Sequence, residues 1–357
     1  MEGGFKIEPL NHKDLEEIAN LMKQVFGTSR TQDYSLWKYE QAPPNQVLIV
    51  KDSITSKIVS FNALIPWPII LDAEVFDAVQ SVDGVVHPQF RRRGIWYNLC
   101  NEICRRGAEN GFTYLIGWAE RYAPAWRAYI GKLGWMDIGI MQVFAYPIKP
   151  FRAVRWLEWG RLKSLVVGTV LWFRKLMKHP RSVMAEGLVV EKGRWDYDGF
   201  WRCWKESQKR GGAAIYKDPS FYRRRFMKSP WPQHEFYPIS VRKNDKIVCF
   251  AICIVYASEL GIGGVIADLQ CIEGHENALK LLLKECIEYF EAEGAEYARG
   301  WAKKPDWILE TLVNLGFIIR DGRECFLIYP LSDDVKTDPR FLDFNLWDLN
   351  LCDSDHV

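Results

Sequence analysis

The stretch Val85-Val86-His87-Pro88-Gln89-Phe90-Arg91-Arg92-Arg93-Gly94-Ile95-Trp96 decides the fold. It reads as a strand end, a turn rich in amide donors and the first turn of a helix. Ser81 to Val86 supplies the strand, with Val82, Val85 and Val86 favouring extended backbone. Pro88 has no N–H and stops the ladder. From Gly94 the period changes: Ile95, Leu99 and Ile103 share one helical face, with Tyr97 and Asn98 between. A glycine at the junction lets backbone approach a ligand closely. Unpaired N–H groups at a helix start, with Arg91, Arg92 and Arg93 beside them, suit a diphosphate. By themselves these residues also read as a solvated basic turn, so the surrounding chain has to decide.

At 357 residues the chain is long for one domain, and two are expected. Hydrophobic residues make up 48% and the net charge is +2, which suits a soluble globular protein and gives no argument for nucleic acid. The nine cysteines include no Cys-x-x-Cys pair. Cys100/Cys104 and Cys249/Cys253 lie four apart in apolar stretches, which reads as buried thiols in a reducing cytoplasm rather than bridges or a metal site. Met1 to Lys6 shows no apolar signal region, and no apolar run reaches the roughly 20 residues of a spanning helix. Sixteen tryptophans imply large aromatic surfaces.

Residues 5 to 9 read as a strand, then a helix follows with Leu15, Ile18, Leu21, Met22 and Phe26 as its stripe and Gly27 as its stop. A short helix covers Tyr34 to Gln41. Strands follow at Val47 to Lys51, Lys57 to Trp67 and Val75 to Val86, with a turn at Asp72-Ala73-Glu74. The helix from Gly94 ends at Asn110-Gly111; Thr113 to Trp118 is a strand, Ala123 to Lys132 a helix and Gln142 to Tyr146 a strand. With this β-α-α-β-β-β-α-β-α-β order, the opening stretch resembles the acyl-CoA pyrophosphate loop of the GNAT N-acetyltransferase superfamily, whose pattern is Arg/Gln-x-x-Gly-x-Gly/Ala after a strand. Arg91 and Gly94 match it; Trp96 stands where the family prefers a small residue.

A second copy of the plan follows from Leu188 to Tyr329. Asp33-Tyr34-Ser35-Leu36-Trp37-Lys38 is echoed by Asp218-Pro219-Ser220-Phe221-Tyr222-Arg223, and Lys132-Leu133-Gly134-Trp135 by Asn314-Leu315-Gly316-Phe317. The expected fold class is α/β: two tandem GNAT-like domains, each a mixed, mostly antiparallel sheet flanked by helices. We divide the chain into an acyl-CoA-binding domain at 1–150, a basic amphipathic linker helix at 151–185, a second GNAT-like domain at 186–331 and an acidic tail at 332–357. In the second domain the counterpart of the basic turn is Cys271-Ile272-Glu273-Gly274-His275-Glu276-Asn277, whose glutamates would repel a diphosphate. The linker sets eight cations against Glu158, with Leu162, Leu165, Val166, Val170, Phe173, Leu176 and Met177 at helical spacing. Such a helix serves at membrane surfaces; equally it reads as an inter-domain helix with its apolar face packed on a lobe and its lysines solvated. The tail interleaves aspartates with Phe341, Leu342, Phe344, Leu346, Trp347, Leu349 and Leu351, which suits docking on a lobe.

The resemblance implies acetyl-CoA, or another acyl-CoA, as cofactor. Arg91, Arg92, Arg93, Gly94, Ile95, Trp96 and Tyr97 would hold its diphosphate, and the Val85 and Val86 backbone its pantetheine arm. It also implies an N-acyltransferase, acetyl first, acting on a small-molecule amine, amino sugar or peptide. The family commonly carries Asn and then Tyr on the helix before the Lys-x-Gly-Phe-like end; here those places hold Ala123 and Ile130, and neighbouring Tyr129 should face elsewhere. For the base, Asp83 sits among valines in a strand, where either function or a buried hydrogen bond must justify it. Glu120 follows the strand end at Trp118 and also reads as a surface partner of Arg121. The alternative is a non-catalytic CoA-binding or scaffold protein with a degenerate site. Tandem GNAT-like architectures include Fem-type and mycothiol-synthase-like enzymes, so the acyl donor stays open.

Overall fold

The computed structural model describes the chain apart from residues 1–3, 28–30, 41, 44, 155–160, 179–185, 209–210, 228–234, 259–260, 332–337 and 355–357. It divides into two compact units, one of residues 1–140 and 323–346, the other of residues 141–322 and 347–357.

The first unit begins with β1 (Phe5–Pro9), α1 (Leu15–Phe26) and α2 (Gln32–Tyr39). A reciprocal cap between Asn11 and Asp14 precedes α1, and Gly27, with φ +72°, closes it. The Thr31 hydroxyl accepts from the Tyr34 N–H to start α2. Then come β2 (Val47–Asp52), β3 (Ile58–Pro66), the hairpin of β4 (Ile69–Leu71) and β5 (Glu74–Phe76), β6 (Ala78–Val86), α3 (Ile95–Glu109), β7 (Tyr114–Glu120), α4 (Pro124–Lys132) and β8 (Met136–Tyr146). Antiparallel pairs join β1 to β2, β2 to β3 and β3 to β6; β6 and β7 run parallel. The core lies between this sheet and α3. As their spacing requires, Ile95, Leu99 and Ile103 are buried there, against Leu48, Val50, Leu64, Val79 and Leu115. Each such side chain contributes about 1.5–3 kcal/mol when fully buried.

The second unit holds α5 (Pro150–Ala153), α6 (Arg161–Lys178), β9 (Leu188–Lys192), α7 (Tyr197–Ser207), β10 (Ala213–Ile215), α8 (Pro219–Tyr222), β11 (Phe236–Lys243), β12 (Lys246–Ser258), β13 (Gly261–Cys271), α9 (Glu276–Ala292), β14 (Tyr297–Lys303) and α10 (Asp306–Asn314). The chain ends through β15 (Ile318–Pro330), α11 (Pro339–Leu342) and β16 (Trp347–Asn350). Its sheet repeats the plan: β9, β11, β12 and β13 are antiparallel neighbours, and β13 runs parallel to β14. The units depart from the sequence repeats at their closing strands. Residues 324–330 of β15 pair with β7 in the first unit, and residues 142–146 of β8 pair with β14 in the second.

The tail docks, as its apolar residues suggested. In the first unit Phe341 is buried, its ring 5.3 Å from Phe76 and 5.0 Å from Tyr114, and Arg340 pairs with Asp72 and Asp338. In the second, Asp353 lies 2.9 Å from the buried Lys217, which also pairs with Asp268 at 3.1 Å. Asp348 pairs with the buried Lys304 at 2.5 Å.

The linker helix corrects one expectation. On α6 three cations face inward: Arg174 donates to the Gly316 and Phe317 carbonyls, Lys178 to Val313, and Lys175 to Ile148 and the Glu291 carboxylate. Gly316 and Phe317 follow the end of α10, where Arg174 satisfies their carbonyls, and Lys178 adds a second donor to the Val313 carbonyl in the last turn. Val166, Val170, Phe173 and Met177 face solvent instead of packing on a lobe. Residues 155–160 and 179–185 of the predicted linker lie outside the described residues.

Candidate functional site

The ladder between β6 and β7 covers only Ala78–Tyr114, Val79–Leu115 and Gln80–Ile116. Beyond it each strand keeps its other neighbour: Val85 and Val86 pair with Phe61 and Ser60 of β3, and Gly117 to Glu120 pair with residues 324–327. The two strands therefore part over Ser81–Val86 and Gly117–Glu120. Backbone amides and carbonyls along a parted pair can take an extended ligand as an extra strand. The Val85 carbonyl already accepts the Ser60 hydroxyl at 2.7 Å, and the Val86 carbonyl accepts Arg91 Nε at 3.3 Å.

Past β6, a 3-10 turn over Pro88–Phe90 leads into the basic run. Arg92 and Gly94 both take left-handed backbone, at φ +65° and +77°. This pair of reversals turns the chain into α3, whose N-cap is Gly94, with no side-chain cap bond. The first-turn amides of Ile95, Trp96 and Tyr97 are therefore left for a ligand or solvent, and the helix dipole adds partial positive charge there. Arg91, Arg92 and Arg93 are all exposed, and among the described residues none is ion-paired to a carboxylate. The Arg93 guanidinium stacks 5.0 Å from the Phe90 ring centroid, which fixes its direction. Ile95 is buried and anchors the turn. Uncapped amides, exposed guanidiniums and parted strands fit an acyl-CoA.

Trp96, unusual for the loop, is accommodated by Gly84. A Cβ at residue 84 would lie 2.1 Å from the Trp96 ring, so the indole rests on bare backbone of the parted strand. The ring meets Tyr129 edge-on at 6.1 Å. Tyr129 is buried between Trp96 and Trp135, and Ile130 packs on the same core from its edge. Trp96 Nε1 is buried and has no hydrogen-bond partner among the described residues.

Asp83 lies on the parted stretch of β6 in left-handed backbone, φ +57°, beside the irregular register opposite Phe61 and Ala63. Its carboxylate pairs with Lys38 at 2.8 Å, both side chains 3% exposed, and accepts the Tyr39 hydroxyl at 2.7 Å. The buried hydrogen bond that an aspartate among valines demanded is thus present, together with a buried counter-charge. Sequence reading missed Lys38 and Tyr39; the signal was a lysine followed by a tyrosine on the α2 face turned to the sheet. Glu120 is 51% exposed, and its partner is Arg323 at 3.6 Å rather than Arg121, which stacks on Tyr122. The pairing of β7 with residues 324–330 brings Arg323 there. A cavity of about 620 Å3 opens beside α2, lined by Leu10, His12, Leu15, Leu36, Tyr39 and Glu40 among others. Its Tyr39 is the residue that reaches Asp83.

In the second unit the equivalent gap is taken by the chain itself. The ladder of β13 with β14 covers Gly263–Tyr297, Gly264–Ala298 and Val265–Arg299. Beyond it β14 pairs with β16, Ala302 with Asn350 and Lys303 with Leu349. From the other side the Leu269 N–H donates to Asn350 Oδ1 at 3.1 Å. Among the described residues no group of three or more His, Cys, Asp or Glu is placed to hold a metal ion.

Residues 6–136 match the family model described as an acetyltransferase (GNAT) domain. No curated protein matches the sequence significantly. Among solved structures, the chain is similar to a GCN5-related N-acetyltransferase from Anabaena variabilis, with a TM-score of 0.63 and 11% identity over 92% of this chain and 73% of that one. It is similar to Saccharomyces cerevisiae N-myristoyltransferase with bound myristoyl-CoA, TM-score 0.63 and 14% identity over 91% and 82%. A probable N-acyltransferase from Enterococcus faecalis gives a TM-score of 0.64 and 10% identity over 92% and 73%. Identities this low speak to the fold alone.

Proposed function

We propose that this chain, whose residues 6–136 match a GNAT acetyltransferase domain and whose fold is similar to that of GNAT acyltransferases, is an acyl-CoA-dependent N-acyltransferase whose first unit alone takes the cofactor. The observation that carries this reading is the conjunction of parted strands, the uncapped start of α3 and three exposed arginines in one place. Val85 and Val86 would pair with the pantetheine arm, and Arg91 to Tyr97 would hold the diphosphate. When bound, acyl-CoA supplies an activated thioester, with acetyl the first acyl group to test. The protein's own part is to align an amine with it and remove a proton. For that proton Asp83 is better placed than Glu120, being buried on the parted strand with Tyr39 as its link to the α2 cavity. That cavity has the size of a small-molecule site and would receive the acceptor. The second unit lacks the arginines and fills its gap with β16, which supports a role other than cofactor binding. Nine free cysteines, eight of them buried, support a reducing, cytoplasmic setting.

Ile130 and Ala123 in place of the family's Tyr and Asn favour a second reading, a CoA-binding protein without turnover. Thiol release from acyl-CoAs of increasing chain length, over a panel of amines, separates the two. Amine-dependent release supports transfer. CoA binding with no release on any amine supports the second reading, and absence of both binding and release removes the first.

A further inference from the structure

We infer that Trp96 limits the length of the acyl group. With Tyr129 and Trp135 it walls the gap between β6 and β7, which leaves a blind slot for short acyl chains. This rests on the reading that the parted strands take the pantetheine arm.

The wall is built on a glycine in each parted strand. A Cβ at Gly84 of β6 would lie 2.1 Å from the Trp96 ring, and one at Gly117 of β7 would lie 3.0 Å from the Trp135 ring. Neither glycine has a positive φ, so the missing side chain makes room for a ring rather than for a turn. Tyr129 stands between the indoles, its ring 6.1 Å from Trp96 and 4.6 Å from Trp135. The three rings thus run in one row from β6 to β7, on the face of the sheet that packs against Ile95, Leu99 and Ile103 of α3. The row is fixed rather than hinged. Trp135 stacks on Tyr329 at 5.9 Å, and its backbone N–H donates to the Tyr129 carbonyl at 3.1 Å.

The fold closes the other sides of the slot. Its inner end is shut where β6 and β7 rejoin, at the Gln80–Ile116 rung. Gly117 to Glu120 give the gap about 13 Å of strand, a length that an extended arm with two amides takes up. An acyl group beyond the sulfur must then leave the plane of the sheet. Toward α3 it meets the Trp96 row. Toward α2 it meets the Asp83 carboxylate, paired with Lys38 at 2.8 Å and bonded to the Tyr39 hydroxyl at 2.7 Å. A chain driven through that side would separate a buried ion pair, which is strongly unfavourable. Acetyl stops short of both walls, and a longer alkyl chain does not.

Of the three rings, Trp96 is the one that decides. Tyr129 and Trp135 are buried and belong to the core, whereas Trp96 is half-buried and packs on it from the start of α3. Alanine at this position uncovers Gly84 and opens the slot onto the apolar core beneath. Each further CH2 of a chain that is buried there is worth about fourfold in affinity. The diphosphate, by contrast, would be held through the residue 96 amide, which any side chain leaves in place. Chain length and cofactor binding are therefore separable.

The test is calorimetry of CoA, acetyl-CoA and octanoyl-CoA against the full chain and Trp96→Ala, which reads binding without requiring turnover. The wild type should bind acetyl-CoA at least about tenfold more tightly than octanoyl-CoA, and Trp96→Ala should shrink that ratio at least about tenfold. Octanoyl-CoA bound by the wild type as tightly as acetyl-CoA overturns the inference and leaves the cofactor assignment standing. A variant that keeps the wild-type ratio does the same. No binding of CoA itself by the wild type removes the cofactor assignment, and this inference with it. Should Trp96→Ala not fold, Trp96→Leu is read by the same outcomes.

Discussion

Asp83 and Lys38 form a pair whose removal separates structure from catalysis. Both side chains are 3% exposed at 2.8 Å, so breaking the pair takes the counter-charge away from a group in low dielectric. That costs about 3–5 kcal/mol. Asparagine is the right replacement: it tolerates the left-handed backbone at φ +57°, and its Oδ1 can still accept from the Tyr39 hydroxyl. Asp83→Asn alone should therefore lose about 3–5 kcal/mol in urea unfolding of the intact chain, with its fall in thiol release confounded by unfolding. Lys38→Met in the same background removes the ammonium that faced the carboxylate and should restore part of that loss, a coupling of about 0.5–3 kcal/mol in a double-mutant cycle. Thiol release by the restored double variant then reports chemistry alone. A drop of about 100-fold or more at regained stability assigns Asp83 the proton, since general bases contribute about 10²–10⁴. Unchanged release makes the pair purely structural. Should Asp83→Asn cost less than about 1 kcal/mol, the premise of a dry, buried ion pair fails.

Gly84→Ala should destabilise the first unit by about 1–3 kcal/mol, because the new methyl meets the Trp96 ring at 2.1 Å; adding Trp96→Phe should recover part of it, and a neutral Gly84→Ala in thermal melts would contradict the packing. On α3 the Arg105 guanidinium, then Arg106, holds the Glu102 carboxyl down at about 2 against the opposing effect of burial. A depressed carboxylate stabilises fully above its unfolded value and loses that contribution as pH falls through the folded one, so carboxyl NMR should show Glu102 titrating near pH 2; a midpoint above 4 is the adverse result. Burial pushes the Cys104 thiol up to about 12, and burial with the Asp137 carboxylate does the same for Cys325. A thiol reagent at pH 8 should find no promptly reacting cysteine in the native chain and nine in denaturant; rapid native labelling would contradict this burial.

The loop and its setting were legible because each depends on short-range pattern. Val82, Val85 and Val86 set a strand, Gly94 set a left-handed start, and Ile95, Leu99 and Ile103 set the buried face. The tail's docking was legible from its apolar residues, but not its partners, since Lys217 and Asp353 meet only through the tertiary fold. Lys38 was likewise out of reach as the counter-charge of Asp83, far along the chain on another element. Trp96 looked like a departure from pattern until Gly84, twelve residues earlier, proved to supply the space. For α6, periodicity defines an apolar face but not which way it turns. The orientation follows from carbonyls at the end of α10, a demand that hydropathy does not register. The closing strands read correctly as strands, while their pairing depended on register between distant segments.

Cofactor binding by the turn before α3 is the central claim, and calorimetry of CoA against the wild type and Arg91→Ala/Arg93→Ala tests it most directly. Charge-assisted contacts are worth about 1.5–3 kcal/mol each, so the double variant should bind at least about tenfold more weakly, with β16 and the second unit untouched. Equal affinity in the two proteins would contradict the assignment.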